Sequence, residues 1–303
     1  MALISMKKLL GHAEKNHYAV GYFEAFNMDA MLGALDAAES KNSPVIIGFG
    51  GQFLGSKKRA KAENSALYGI LAKKAAECAK VPAAALLNEA DDEQMAYRGM
   101  NSGFNAVMYQ KAGEKFEDTV KITKEICRIA HILDIDVESE VGSLPCADIG
   151  TGLWTEGEKT DVGQAKYFAE QTNIDALAVA IGNVHLLEDK KAEMDFGLLA
   201  ALRREISVPL ALHGGTGIAP GDLKKAIAAG ISKINVGTVL KRAYIEAIGK
   251  FYEKKDMAKT DPHATIGWGG EEDMISCGRA AIAEKVAEYM DIFGSSGKAP
   301  FVR

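Results

Sequence analysis

Cysteine is scarce and poorly spaced for bonding: the four thiols, Cys78, Cys127, Cys146 and Cys277, lie far apart and form no CxxC pair. That spacing excludes a disulfide framework and a thiolate zinc site, and it fits a reducing compartment. The thiols read as small packing groups. No stretch approaches the roughly 20 consecutive apolar residues of a membrane span, so no membrane partner is expected. The opening segment MALISMKKLLGHAEKNHYAV is too polar for a secretory signal, and the expected location is the cytoplasm. Basic residues form no stripe, and the net charge is −5, which speaks against a nucleic-acid partner. No GxGxxG follows the first apolar run, so a dinucleotide-binding doubly wound sheet lacks its main signature. Linkers and low-complexity segments are absent as well.

What is present is a regular alternation. Short apolar runs at 19–23, 44–49, 83–87, 106–108, 135–141, 176–181, 209–212 and 233–236 are separated by helix-length patterns such as DAMLGALDAAESK, FEDTVKITKEICRIAHIL and VGQAKYFAEQTN. Eight strand signals, each followed by a helix signal, predict parallel βα units. The strands are continuously apolar, as expected where both faces are covered. Eight units close into an α/β fold of the (β/α)8 TIM-barrel class, and 303 residues suit one such domain over 1–303, since a barrel needs about 250 residues plus insertions. A final amphipathic helix over 278–292 forms a C-terminal helical extension, after an irregular stretch at 254–272.

Several strand ends run into glycine or polar clusters: GFGGQFLG, LNEADD, ESEVGSLPCADIGTG, IGNVH, LHGGTG and INVGT. In a barrel these ends gather on the C-terminal face, where the loops build the site. The longest unpatterned loop, 143–161, is the natural lid. Two histidines, His185 and His213, stand at the ends of adjacent strands, and Glu89 and Glu140 stand at two others. A lone histidine is more often a hydrogen-bonded core residue; two at neighbouring strand ends, joined by carboxylates, suit a divalent metal. LHGGTG and INVGT have the composition of phosphate cradles, in which glycine lets backbone N–H groups approach an anion. Tight turns demand glycine too, so the loops alone do not decide.

Over about residues 1–292 the sequence resembles the class II fructose- and tagatose-bisphosphate aldolases. The segments that carry the resemblance are YAVGYFEAFNMDAM, SPVIIGFGG, SGFNAVM, VESEVGSL, IDALAVAIGNVH, VPLALHGGTG and AAGISKINVGTVLK, the last four specific in order and spacing. The resemblance implies that His185 and His213 are metal ligands and that Glu140 is an auxiliary one. It implies that Gly214, Gly215, Thr216, Asn235, Gly237 and Thr238 hold the ketose phosphate and the carbonyl-bearing fragment, with Thr216 replacing a serine and keeping its hydroxyl. It also implies a homodimer or homotetramer.

The departures fall inside the site. The family carries an Asp-His pair at strand three, the aspartate moving a proton at the substrate hydroxyl and the histidine binding zinc; this chain has Asn88-Glu89. Asparagine cannot accept and return a proton, and losing such a group costs about 10²–10⁴ in rate. Glu89 can still complete a set of two imidazoles and one carboxylate. Glu24 replaces an asparagine at the end of strand one, either as a relocated base or as a surface carboxylate. Leu186 replaces a glycine after His185. Asp148 stands where the lid carries a glutamate, preceded by Pro145-Cys146 in place of two glycines. The resulting expectation is a carbon–carbon lyase that cleaves a phosphorylated ketose to dihydroxyacetone phosphate and an aldehyde. Glu89, His185, His213 and Glu140 would hold zinc, or else manganese or magnesium, with Asn88, Glu24 and Asp148 around the reacting atoms. A sugar-phosphate isomerase or epimerase and a non-catalytic sugar-phosphate-binding barrel are the alternatives.

Overall fold

The computed structural model describes residues 2–302 apart from 57, 62, 149–152, 186–191 and 254, with the backbone alone at 147, 148, 153 and 257. Eight parallel strands close into a barrel: β1 (Val20–Ala25), β2 (Val45–Gly50), β3 (Ala83–Ala90), β4 (Ala106–Tyr109), β5 (Asp136–Val141), β6 (Ala176–Val179), β7 (Leu210–Leu212) and β8 (Ile231–Val236). Each strand pairs with its chain neighbours, and β8 pairs with β1 to complete the circle. The expected (β/α)8 architecture is the one observed. The outer layer consists of α2 (Met28–Ser40), α3 (Ser65–Cys78), α4 (Glu93–Ser102), α5 (Phe116–Ile132), α6 (Val162–Thr172), α7 (Phe196–Glu205), α8 (Pro220–Ala228) and α9 (Thr238–Glu253). Helix α1 (Met6–Lys15) precedes β1, and α10 (Met274–Phe293) follows the eighth unit. Asn27, Asn64, Asp92, Asp161 and Asp195 each accept a hydrogen bond from a first-turn N–H, which starts α2, α3, α4, α6 and α7 at those polar residues. Helix α10 packs on α2, α8, α9 and β1, and its Arg279 pairs with Asp36 of α2. Among the described residues no helix is long and apolar enough to cross a membrane.

Every strand is buried, yet the two faces differ, because successive side chains point to opposite sides of a strand. The outward row, including Phe23, Ile47, Phe49, Leu87, Val107, Val137, Val179, Leu212 and Ile234, packs under the helices as one continuous core. The inward row forms a second cluster of Val20, Tyr22, Ile46, Ala84, Leu86, Ala106, Met108, Ala176, Ala178 and Ala211. Met6, Leu9 and Leu10 of α1 close it from below. Cutting Met6, Leu9 or Leu10 back to alanine costs about 2–5 kcal/mol. Toward the strand C-termini the same parity continues with Glu24, Asn88, Glu138, Glu140, Lys233 and Asn235. The strands are therefore not uniformly apolar, as the sequence pattern suggested: the inner row changes chemistry as it climbs.

The 143–161 segment also differs from expectation. It carries an antiparallel ribbon, Cys146–Asp148 against Leu153–Thr155, so it is not a wholly unpatterned loop. Short runs of three residues on each side are below what sequence periodicity can resolve.

Candidate active site

The inner row ends in a cleft at the C-terminal mouth, lined by Glu24, Asn88, Glu89, His185 and His213 among others. Asn88 enters it by strand parity; Glu89, the next residue, should point the other way. It does not, because its backbone sits in the left-handed region at φ 53°, and the β3–β4 register shifts between Leu87 and Ala90. This irregularity turns two consecutive side chains into one cleft. A non-glycine residue held at positive φ is strained by about 1–3 kcal/mol, and such strain gathers at functional sites.

Glu89, His185 and His213 converge. Each offers one ligand atom, and these atoms lie within 4.8 Å of one another. Glu89 Oε1 is 3.5 Å from His213 Nδ1 and 4.0 Å from His185 Nε2. At 3.5 Å the first pair is an ion contact without hydrogen-bond geometry, and among the described residues the buried Nδ1 of His213 has no hydrogen-bond partner. An imidazole lone pair held in this way beside a carboxylate and a second imidazole fits a divalent cation, and a trio leaves a coordination position open. The opposite nitrogen, Nε2, lies 3.0 Å from Glu138 Oε1. A neutral His213 therefore carries its proton on Nε2 and leaves Nδ1 free, the usual arrangement in which an outer carboxylate orients a ligating histidine. Gln52 donates to the other oxygen of Glu89.

Glu138 does more than orient one ring. Lys233, fully buried, places its Nζ 3.0 Å from Glu138 Oε1 and 2.9 Å from Oε2, and it also donates to Asn235 Oδ1. Asn235 Nδ2 in turn donates to Asn88 Oδ1 at 3.3 Å. A charged pair in the barrel interior is thus tied through two amides to the cleft wall.

On the far side stands Glu24. Its Oε2 accepts from Lys241 Nζ at 2.7 Å, and the ammonium lies 3.9 Å from the Phe53 ring centre. Burial raises the Glu24 pKa above the ordinary carboxylate value, against the pull of Lys241. Glycines make room for it: a Cβ at Gly50 would lie 2.7 Å from Glu24 Oε1, and one at Gly237 would lie 3.0 Å from Oε2. The carboxylate is a cleft group and not a surface one.

The glycine loops border the same space. Gly214, at φ 68°, leads into the single turn Gly215–Gly217. Thr216 Oγ1 accepts from Val239 N at 3.3 Å, joining that turn to the start of α9 at Thr238. Gly214, Thr216, Asn235, Gly237 and Thr238 all line the cleft. Gly215 is buried against Asn235. Glu140 is nearby but outside the ligand trio: Gln110 donates to its Oε2, and its Oε1 is buried without a partner. Burial, with Glu89 and Glu138 adding repulsion against the attraction of His213, pushes its carboxyl up to about 7.

The comparisons bear on this geometry. A family profile described as fructose-bisphosphate aldolase class-II matches residues 4–298. The chain belongs to the class II fructose-bisphosphate aldolase family. It is 33% identical to YdjI of Escherichia coli strain K12, over 95% of this chain and 96% of that protein. The crystal structure of that protein, described as the YdjI aldolase, superposes with a TM-score of 0.79 over 98% of this chain and 99% of the other, at 30% identity. It is 31% identical to the sulfofructosephosphate aldolase of Alkalicoccus urumqiensis and 32% identical to the fructose-bisphosphate aldolase of Geobacillus stearothermophilus, each over 99% of both chains. The protein is a class II aldolase-like lyase.

Within this aldolase the sequence-derived residues are distributed unevenly. Glu89, His185 and His213 meet, and Asn88 and Glu24 face the same cleft. Asp148 has its backbone in the ribbon but its side chain, like the whole of Leu186, lies outside the described residues. The ribbon is nevertheless anchored at the site, since Pro145 O accepts from His185 N at 2.8 Å. Gln52, Lys233, Glu138 and Lys241 were not singled out from the sequence. Lys241 had a usable signal, falling one helical turn after Thr238 in the INVGTVLK run. Gln52 had none.

Proposed function

We propose that the protein is a divalent-metal-dependent aldolase that splits a phosphorylated ketose into dihydroxyacetone phosphate and an aldehyde. The observation that carries this reading is the buried, unpartnered Nδ1 of His213, aimed at the space it shares with Glu89 and His185. Those three residues are the proposed metal ligands, with zinc as the expected ion, manganese or magnesium as alternatives, and Glu140 as an occasional further ligand. A cation held there supplies a Lewis acid that polarises a carbonyl oxygen. Gly214, Gly215, Thr216, Gly237 and Thr238 bind the phosphate through backbone N–H groups and hydroxyls. Two relatives named above are a sulfofructosephosphate aldolase and a fructose-bisphosphate aldolase, which supports that assignment. Glu24 takes and returns the proton at the reacting hydroxyl, a duty Asn88 cannot perform. Its raised pKa suits the exchange, since an acid/base works best with a pKa near the operating pH. Asp148, on the ribbon, is the second carboxylate assigned to proton transfer by family likeness.

The reading extends to a single (β/α)8 unit over 1–303, working in the cytoplasm as a homodimer or homotetramer. No disulfide forms among the described residues, which supports a reducing compartment. Exposed Leu67, Ile70 and Leu71 on one face of α3 support association. Metal analysis of the purified protein, followed by incubation with dihydroxyacetone phosphate in deuterium oxide, tests the function. About one ion per chain and stereospecific exchange of one carbon-bound proton are expected. No bound ion, and no exchange after adding zinc, manganese or magnesium, would overturn it.

A further inference from the structure

The orientation of Asn88 follows from a chain of hydrogen bonds whose direction has one solution. Lys233 Nζ is a donor with no acceptor capacity, and it is fully buried. The Asn235 atom facing it must therefore be the carbonyl oxygen. The other end of that amide is the NH2 group, so its partner on Asn88, 3.3 Å away, must be an oxygen too. Turning Asn235 over would set an NH2 against an ammonium; turning Asn88 over would set NH2 against NH2. With Oδ1 committed, Asn88 presents Nδ2, and no described residue accepts from it. Asn88 is almost wholly buried and lines the cleft beside Glu89.

We propose that Asn88 is a hydrogen-bond donor to the reacting oxygen of the aldehyde partner, held in that orientation by Lys233 through Asn235. The proposal rests on the aldolase reading above and deepens it. In the condensation direction a carboxylate takes a carbon-bound proton of dihydroxyacetone phosphate, and the electron pair of that C–H bond forms the new bond to the aldehyde carbon. The C=O π pair moves onto the aldehyde oxygen, and a proton from the Glu24 carboxyl completes the hydroxyl. Cleavage reverses each movement. The oxygen carries its greatest negative charge midway, and an amide N–H aimed at it stabilises that charge without exchanging a proton. One such fixed donor in a desolvated site is worth about 10²–10³ in rate. Two tasks that one aspartate would combine, contacting the oxygen and moving its proton, are here divided between Asn88 and Glu24. The substrate chemistry that fits is an aldehyde whose carbonyl oxygen meets a neutral donor.

Two half-reactions separate this from the parent reading. Deuterium exchange into dihydroxyacetone phosphate needs the phosphate cradle and the ion but no aldehyde; condensation needs all three. The holoenzymes of the wild type, Asn88→Asp and Asn88→Ala are compared in both, with glycolaldehyde, D-glyceraldehyde 3-phosphate and L-lactaldehyde as acceptors. Aspartate is the residue with which the family moves the proton itself, so Asn88→Ala, which neither donates nor carries a proton, decides the question, and Asn88→Asp is the size-matched control for exchange. Asn88→Ala should lose far less in exchange than in condensation. Its condensation kcat should fall about 10²–10³-fold. Condensation by Asn88→Ala at or above the wild-type rate would overturn the proposal, as would equal loss of exchange and condensation. Wild-type exchange without condensation of any of the three aldehydes would overturn it as well. Absence of exchange in the wild type would instead sink the metal-dependent reading.

Discussion

Varying the pH while loading the site with manganese probes the charge on His213. Burial works against a charged ring there, but Glu138 and Glu89, one beside each nitrogen, outweigh it and hold the metal-free imidazole at about 9. Glu89 is held down to about 2, because His213, His185 and Lys233 together overcome the cost of burying its charge. His185 is lowered by burial, with Glu89 opposing. At neutral pH the free site thus holds one displaceable proton, on His213 Nδ1, since Nε2 keeps its own for Glu138. The ion binds only the form that has lost it, so affinity is greatest above the pKa and declines as pH falls. Each unit below about 9 costs about 1.36 kcal/mol, a factor of roughly ten; from there to pH 7 the loss is about 2.7 kcal/mol, or roughly a hundredfold. Isothermal titration calorimetry in buffers of different ionisation heat should count about one proton released per ion near neutrality. The Kd should tighten steadily as the pH is raised toward that value. A flat Kd over this range, or binding with no proton release, would refute the reasoning.

Glu140 gives the opposite kind of test. Its native carboxyl, raised to about 7, binds a proton more tightly than the unfolded chain does, so its contribution to stability declines as pH rises between the ordinary carboxylate value and about 7. Glu140→Gln keeps an acceptor for Gln110 and should raise the Tm at pH 8.5 with little change at pH 5; a lower Tm at pH 8.5 contradicts the assignment. Lys241→Met removes the cation that opposes the upward shift of Glu24, so the acid limb of the pH–rate profile should move to higher pH. An unmoved limb would show that Glu24 is not the proton-transfer group.

The barrel was legible because each strand is buried on both faces, which leaves an apolar run that sequence alone can find. The cleft was legible where the chain marks strand ends with glycine or histidine, as at His185, His213 and Gly214. Two kinds of feature escaped. Glu138 and Lys233 lie inside strands, and nothing in a linear sequence shows that charges on β5 and β8 are neighbours across a barrel. The turning of Glu89 into the site depends on a left-handed backbone that an ordinary glutamate in an apolar run does not advertise. Glu24 was undecided between base and surface residue until the strand parity, and the glycines flanking its carboxylate, placed it in the cleft.

One oxygen has a double duty with a practical consequence. Glu138 Oε1 lies 3.0 Å from both the imidazole of His213 and the ammonium of Lys233, so the anchor of the barrel interior and the support of the site are the same atom. Exchanging a buried ion pair for apolar residues is often a route to a sturdier protein. In this barrel that exchange would release an imidazole at the mouth and free two amides to rotate. Hardening the scaffold and preserving the chemistry are therefore competing aims here, and engineering for heat tolerance should start from the helical shell.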